Sequence, residues 1–178
     1  MDMAASLATA GRLAMDDSGK LARRGKVDED RVRRMLKHPY FKRAAPKSLD
    51  KNFFGEEFLR KHFPRLSKAS LPDALATLNR FTARSISQSY ARLPQREKLT
   101  EVVVAGGGAL NGMLMENLQN LFAPVPVTTS QSHGIPVMAK EAVCFAWLAA
   151  RAWRGQTNNC PQATGSRGPR ILGKIVPP

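Results

Sequence analysis

VVVAGGGALN, residues 102–111, runs from β-branched side chains through three glycines into residues that favour helix. A short β-branched run that stops at glycine reads as a buried strand, here Glu101 to Ala105, of the kind found in parallel sheets. Downstream, Leu114, Met115, Leu118, Leu121 and Phe122 mark one face of a helix, and Val125-Pro126-Val127-Thr128 suggests a second strand. That order, strand, helix, strand, argues an α/β fold. A further helix over Glu141 to Trp153 is apolar around most of its circumference, which places it sandwiched in the core. Residues 155–170, rich in Gly, Asn, Pro and Thr, read as loop before a last apolar stretch, Ile171 to Val176.

Upstream of the glycines the period is helical. Residues 28–37, DEDRVRRMLK, carry Asp28 as a cap, acids in the first turn and bases in the last, as the helix dipole favours, with Pro39 as the stop. Pro39 to Pro46 reads as loop and residues 53–63 as a short amphipathic segment. Ser70 followed by Asp73 resembles a capping arrangement, after which Leu71, Leu75, Leu78, Thr82 and Ile86 keep helical spacing up to Pro94. No repeat of 20 to 50 residues is visible.

The 178 residues, 43% of them hydrophobic, suffice for one substantial core or one lobe of a larger protein. Two cysteines and three scattered histidines provide neither a disulfide framework nor a close set of metal ligands. No apolar run nears the roughly 20 residues that span a bilayer. The first 15 residues lack the basic start of a secretory signal, so the expected location is the cytoplasm. The net charge of +14 is unevenly spread: residues 1–99 hold 22 basic and 11 acidic groups, residues 100–178 only 6 and 3. A basic, helical part (1–99) and a glycine-rich part (100–178) are therefore distinguished. Acidic residues interrupt the basic run Lys20 to Arg43 and no aromatic stacking motif accompanies it, so a solvated face is preferred to a nucleic-acid surface.

Several residues could carry chemistry. At Gly106, Gly107 and Gly108 the backbone can approach a ligand closely, and the first N–H groups of the next helix carry partial positive charge. The motif is neither the dinucleotide fingerprint nor the Lys-Ser/Thr phosphate loop, and a plain strand-to-helix crossover explains it equally well. Glu141 opens the apolar helix, where the dipole alone accounts for a carboxylate; the functional alternative is a hydrogen-bond acceptor for sugar or ribose hydroxyls at a cleft. Lys47, in a loop with Ser48, could meet a phosphate as a point charge. Cys144 reads as a small buried hydrophobe, and His133 as a loop residue to which no base partner can be assigned.

At VVVAGGGALNGMLMENLQNLF the chain resembles the C-terminal lobe of the anhydro-N-acetylmuramic acid kinases, members of the sugar kinase and actin superfamily. The pattern of triple glycine, Asn, a Leu-Met pair, a Val-Thr-Thr strand and a Glu-Ala-x-x-Phe-Ala-x-Leu-Ala helix runs from Gly106 to Ala149. Residues 158–177 resemble the family's Asn-x-Pro-x-x-Thr-Gly segment and its Leu-Gly-x-Ile-x-Pro terminus, and residues 16–48 its Asp-x-x-Gly, Gly-x-Val, Pro-Tyr-Phe and Pro-Lys-Ser segments. After Lys47-Ser48 the family continues Thr-Gly-Arg-Glu, whereas this chain reads Leu49-Asp50-Lys51-Asn52, so a sugar or phosphate contact in this loop is left unassigned.

The resemblance implies the C-terminal lobe of an actin-like, ribonuclease H-like ATPase fold, a mixed sheet flanked by helices. It implies ATP beside Gly106, Gly107, Gly108 and Asn111, with Mg2+ held mainly through the phosphates and Glu141 as a substrate or cleft contact. The implied reaction is phosphorylation of 1,6-anhydro-N-acetylmuramic acid with opening of the anhydro ring, giving N-acetylmuramic acid 6-phosphate in cell-wall recycling. Met1-Asp2 aligns just after the family's Asp-Thr-Gly-Pro-Gly-Asn motif. The aspartate used as general base, and the N-terminal lobe that bears it, are thus expected outside these residues, and the chain alone is expected to be inactive, with exposed apolar surface and a tendency to self-associate. A missing N-terminal lobe or a homodimer are the implied protein partners. The alternative is a non-catalytic lobe that binds a nucleotide or a protein.

Overall fold

The computed structural model describes residues 1–44, 46–49, 51–92 and 98–176. The chain opens with α1 (Asp2–Ala8), whose Ala4 and Ala5 are buried. Two single turns, Asp17–Gly19 and Ala22–Arg24, lead to α2 (Glu29–Leu36). The expected cap is present: Asp28 Oδ1 accepts the Arg31 N–H at 2.8 Å. The helix stops before Pro39, which starts a further turn, Pro39–Lys42, instead of plain loop, with His38 Nδ1 accepting the Tyr40 N–H at 3.2 Å.

Within residues 53–63 only Glu56–His62 (α3) is α-helical, because Gly55 interrupts the preceding turn, Lys51–Phe54. The longest element is α4 (Leu71–Tyr90). Ser70 does not cap it with its side chain; its hydroxyl is taken up by Arg65 O and by Ser67. Asp73 does not close a capping box either, since its Oδ1 accepts the Lys26 N–H at 2.7 Å and so fastens the loop before α2 onto α4. Pro94, the expected stop, and Asp50 lie outside the described residues, as does the terminal Pro177.

β1 (Val102–Val104) and β2 (Val127–Thr129) pair in parallel with Val102 opposite Val127, and α5 (Gly112–Phe122) crosses between them. Gln119 of α5 secures that crossover, accepting the Val127 N–H at 2.9 Å and donating to Val125 O at 3.2 Å. The strands differ from expectation in burial: β1 is not buried, and Val103 points its side chain into solvent. The described sheet has two strands with α5 packed on it, so one face is left uncovered. The molecule is thus α/β, mostly helical with a small parallel sheet; the mixed sheet is not what the described residues form.

Two apolar clusters build the interior. The first gathers Ala4, Val32, Met35, Phe41, Phe58, Phe63, Leu75 and Phe81 from α1 to α4, with edge-to-face and stacked rings among Phe41, Phe54, Phe58 and Phe81. The second joins Ala83 of α4 to Leu114, Leu118 and Phe122 of α5 beneath the two strands. α4 serves both, and its length follows from that double duty.

α6 (Lys140–Trp153) forms where its apolar periodicity places a helix, yet none of its residues is buried. Phe145, Trp147 and Trp153 stand 69%, 56% and 75% exposed, and Cys144 is exposed as well. The expectation of a sandwiched helix and a buried Cys144 is therefore wrong for this chain: the apolar circumference is real, but the described residues leave most of it open. The tail that follows includes a one-turn helix, α7 (Pro161–Thr164), inside the expected loop. No helix of the described residues is long and apolar enough to cross a membrane.

Candidate functional site

The glycine turn sits at the C-terminal end of β1, where ligands bind in open α/β sheets. Gly106 takes φ +81°, a conformation side chains resist, and its N–H donates to Val137 O at 2.7 Å. That bond ties the loop before α6 to the turn; Glu141 follows four residues beyond Val137, in the first turn of α6. Gly107 to Leu110 form one 3-10 turn, with Gly107 and Gly108 exposed. A Cβ added at Gly106 or Gly107 would meet nothing within 4 Å, so the space above the turn is open. The first N–H groups of such a turn have no partner within it and are available to an acceptor. The open space and donors fit the phosphate or ribose side of a nucleotide. The described residues contain no cluster of His, Cys, Asp and Glu suited to holding a metal by themselves.

Asn111 is placed differently from the glycines. Its side chain is buried, its Oδ1 caps α5 by accepting the Leu114 N–H at 3.0 Å, and the same oxygen accepts from Asn79 Nδ2 at 3.1 Å. Asn79 Oδ1 in turn accepts from Asn117 Nδ2 at 2.8 Å. Three buried carboxamides therefore join α4, the glycine turn and α5 in one chain of hydrogen bonds. Sequence reasoning did not find Asn79 or Asn117. The signal was available: Leu75, Asn79 and Ala83 recur every fourth residue, all fully buried, so an amide sits in the middle of an apolar stripe.

The segment Asp16 to Arg24 closes over the same helix start. Asp16 accepts the N–H groups of Leu21 and Ala22 at 2.8 and 3.0 Å. Gly19, at φ +75°, passes so close to Asn111 that an added Cβ would lie 2.4 Å from its Oδ1. Arg23 pairs both terminal nitrogens with the two oxygens of Glu116, at 2.8 and 2.6 Å. This bidentate contact holds the Glu116 carboxyl below its ordinary range.

Other candidates are placed as follows. Glu141 is exposed in the first turn of α6. Lys47 donates to Tyr40 O at 3.4 Å and lies over the Tyr40 ring at 4.6 Å, a local packing role. His133, which no local pattern pairs with a partner, lies 3.0 Å from Glu101 Oε2 through Nε2, and Thr128 Oγ1 donates to Glu101 Oε1 at 2.6 Å. The Thr128 hydrogen bond first, then His133, keeps the Glu101 carboxyl below its usual value. A groove of about 420 Å³ between α2, α4 and residues 63–66, lined by Lys26, Arg31, Arg65 and Asp73, is separate from the glycine turn.

Comparison with known proteins bears on the family of the chain. The family model for anhydro-N-acetylmuramic acid kinase matches residues 1–178. A protein of that name from Synechococcus sp. (strain CC9902) is 37% identical over 181 residues, covering 100% of this chain and 48% of its own length. One from Streptomyces avermitilis is 37% identical, covering 99% of this chain and 45% of its own length, and one from Phenylobacterium zucineum is 40% identical, covering 100% and 45%. The chain thus spans about half the length of the curated relatives it matches. With the family pattern running through the glycine turn, the capped α5 and the whole of the remaining sequence, this chain belongs to the anhydro-N-acetylmuramic acid kinase family.

Proposed function

We propose that the chain supplies the nucleotide-side lobe, actin-like in fold, of an ATP-dependent kinase acting on 1,6-anhydro-N-acetylmuramic acid. The reading rests most on the open glycine turn beyond β1 in a chain that matches the family throughout. In it, the backbone around Gly106, Gly107 and Gly108 borders the nucleotide, and Asn111 holds the turn in place through the α5 cap. Glu141 reaches the cleft from the start of α6 and accepts hydrogen bonds from sugar or ribose hydroxyls. Bound ATP supplies the phosphoryl group; Mg2+ is carried mainly on its phosphates.

The general base of the reaction lies in the part of the family sequence that has no counterpart in these 178 residues, which includes its Asp-Thr-Gly-Pro-Gly-Asn motif. Phosphoryl transfer depends on positioning the phosphates and metal and on a base that orients the nucleophile. The chain by itself therefore binds nucleotide weakly and does not turn over sugar, and it acts in the cytoplasm with the rest of the kinase. Calorimetric titration with Mg-ATP tests the nucleotide side: saturable binding that weakens on blocking Gly107 supports it. A folded protein with no heat of binding at millimolar ATP contradicts it.

A further inference from the structure

α6 is an apolar helix without a core. Val143, Phe145, Trp147 and Trp153 are all exposed, and Met138 just before the helix is 65% exposed. A buried asparagine extends the surface: Asn158 Nδ2 donates to Leu148 O of α6 and to Leu172 O, both at 3.0 Å, while its Oδ1 accepts the Leu172 N–H at 2.6 Å. The tail is thereby laid along α6, with Gly173 close to Ala152 and with Ile171, Leu172, Ile175 and Val176 exposed beside it. Contiguous apolar area of this kind marks an interaction surface.

Two observations point to what covers it. The curated relatives carry about as much sequence again outside the matched span, since this chain covers 48% and 45% of two of them. The segment that carries the patch is also one-sided in charge: from residue 139 to 178 there are six basic residues, Lys140, Arg151, Arg154, Arg167, Arg170 and Lys174, against Glu141 alone, and Arg151 lies over the Trp147 ring. Two copies meeting through this face would bring like charges together, whereas a surface bordered by carboxylates would be drawn to it.

We propose that the α6 face, with residues 171–176 alongside, is the docking surface for the part of the kinase fold outside this chain's 178 residues, and that this part presents apolar side chains bordered by acidic ones. The inference rests on the reading that the chain is one portion of a longer kinase. It specifies where the two portions meet, and the docking requires no nucleotide.

Both tryptophans of the protein, Trp147 and Trp153, lie on α6, so their fluorescence reports on this helix alone. The test co-expresses the chain with the region of the Synechococcus relative outside the matched span, its own tryptophans changed to Phe, and purifies the pair at low ionic strength. The expected result is a one-to-one complex in which emission moves to shorter wavelength and acrylamide quenching falls severalfold. Trp147→Glu is expected to weaken the complex at least about tenfold, as loss of a central aromatic anchor does, with no change in the melting of the chain alone. If the separate region does not fold, the same quenching is read on one polypeptide that joins it to this chain. Failure to associate, or association that leaves both tryptophans fully quenchable, overturns the proposal. So does a stable dimer of the chain alone with its tryptophans protected, because the occupant is then a second copy. Mg-ATP titration of the same complex reads the nucleotide assignment separately, so either can fail without the other.

Discussion

Asn79 is the residue whose importance is least visible in isolation. An amide with no exposed surface is tolerated only when hydrogen-bonded, and here it both donates to Asn111 and accepts from Asn117. Asn79→Leu, similar in size, removes both bonds: Asn117 Nδ2 loses its partner, while Asn111 Oδ1 keeps the Leu114 N–H. The expected loss is about 1–3 kcal/mol, the cost of the one group left unsatisfied, read by urea denaturation; a change under about 0.5 kcal/mol would show that the amides find other partners. The glycines separate strain from access. The positive φ belongs to Gly106, so Gly106→Val strains the backbone, while Gly107 has room for a side chain. Gly107→Val is therefore expected to keep the melting point and weaken Mg-ATP binding about tenfold, roughly 1.4 kcal/mol, as the new side chain fills the ligand's approach. Glu101 gives a pH test. Its folded pKa is depressed, so whatever stability it contributes is present above its ordinary value of 4.5 and is lost as pH falls through the lower folded value. Thr128→Val removes the first cause, and the Glu101 carboxyl titration followed by NMR is expected to move upward; an unmoved midpoint would make His133 the main partner.

At the level of elements, the periodicities were readable where one face is buried. α2, with its Asp28 cap, and α4, with Leu71, Leu75 and Leu78 on one side, lie where their patterns put them, and the strand, helix, strand order survives as β1, α5 and β2. The misreadings share a cause. Apolar composition at Val103 and through α6 predicts burial, but composition records what a segment can bury against, and the covering surface is not supplied by the described residues. Likewise Ser70 and Asp73 have the spacing of a cap, yet Arg65, Ser67 and the Lys26 N–H compete successfully for their oxygens. Within the site, the turn was legible because three glycines after a β-branched run have few other uses. The Asn79 to Asn117 link was not, because it joins residues 38 apart that no local pattern connects. An exposed α6 makes its own prediction: Phe145→Ser in the chain alone shifts stability by no more than about 0.5 kcal/mol. A core phenylalanine would lose about 3–5, and thermal melting distinguishes the two.

For the whole molecule, charge and fold divide along different lines. The basic excess falls in residues 1–99, where Arg80 and Arg84 pair with Glu29 and Arg31 lies over Phe63, so part of it is used in packing α2 against its neighbours. The glycine turn and α6 fall in the less charged remainder, and the loop Asp16 to Arg24, through Arg23 and Glu116, ties the two together. On the proposed reading, a nucleotide lobe with an open turn and an uncovered apolar helix works against a second lobe. The most direct measurement is sugar-dependent ADP release with 1,6-anhydro-N-acetylmuramic acid and Mg-ATP, run with the chain alone and with the chain joined to the relative's remaining region. The account predicts no turnover above background for the chain alone and clear turnover once the region bearing the general base is present. Turnover by the chain alone would contradict it, and would make Glu141 the first carboxylate to replace.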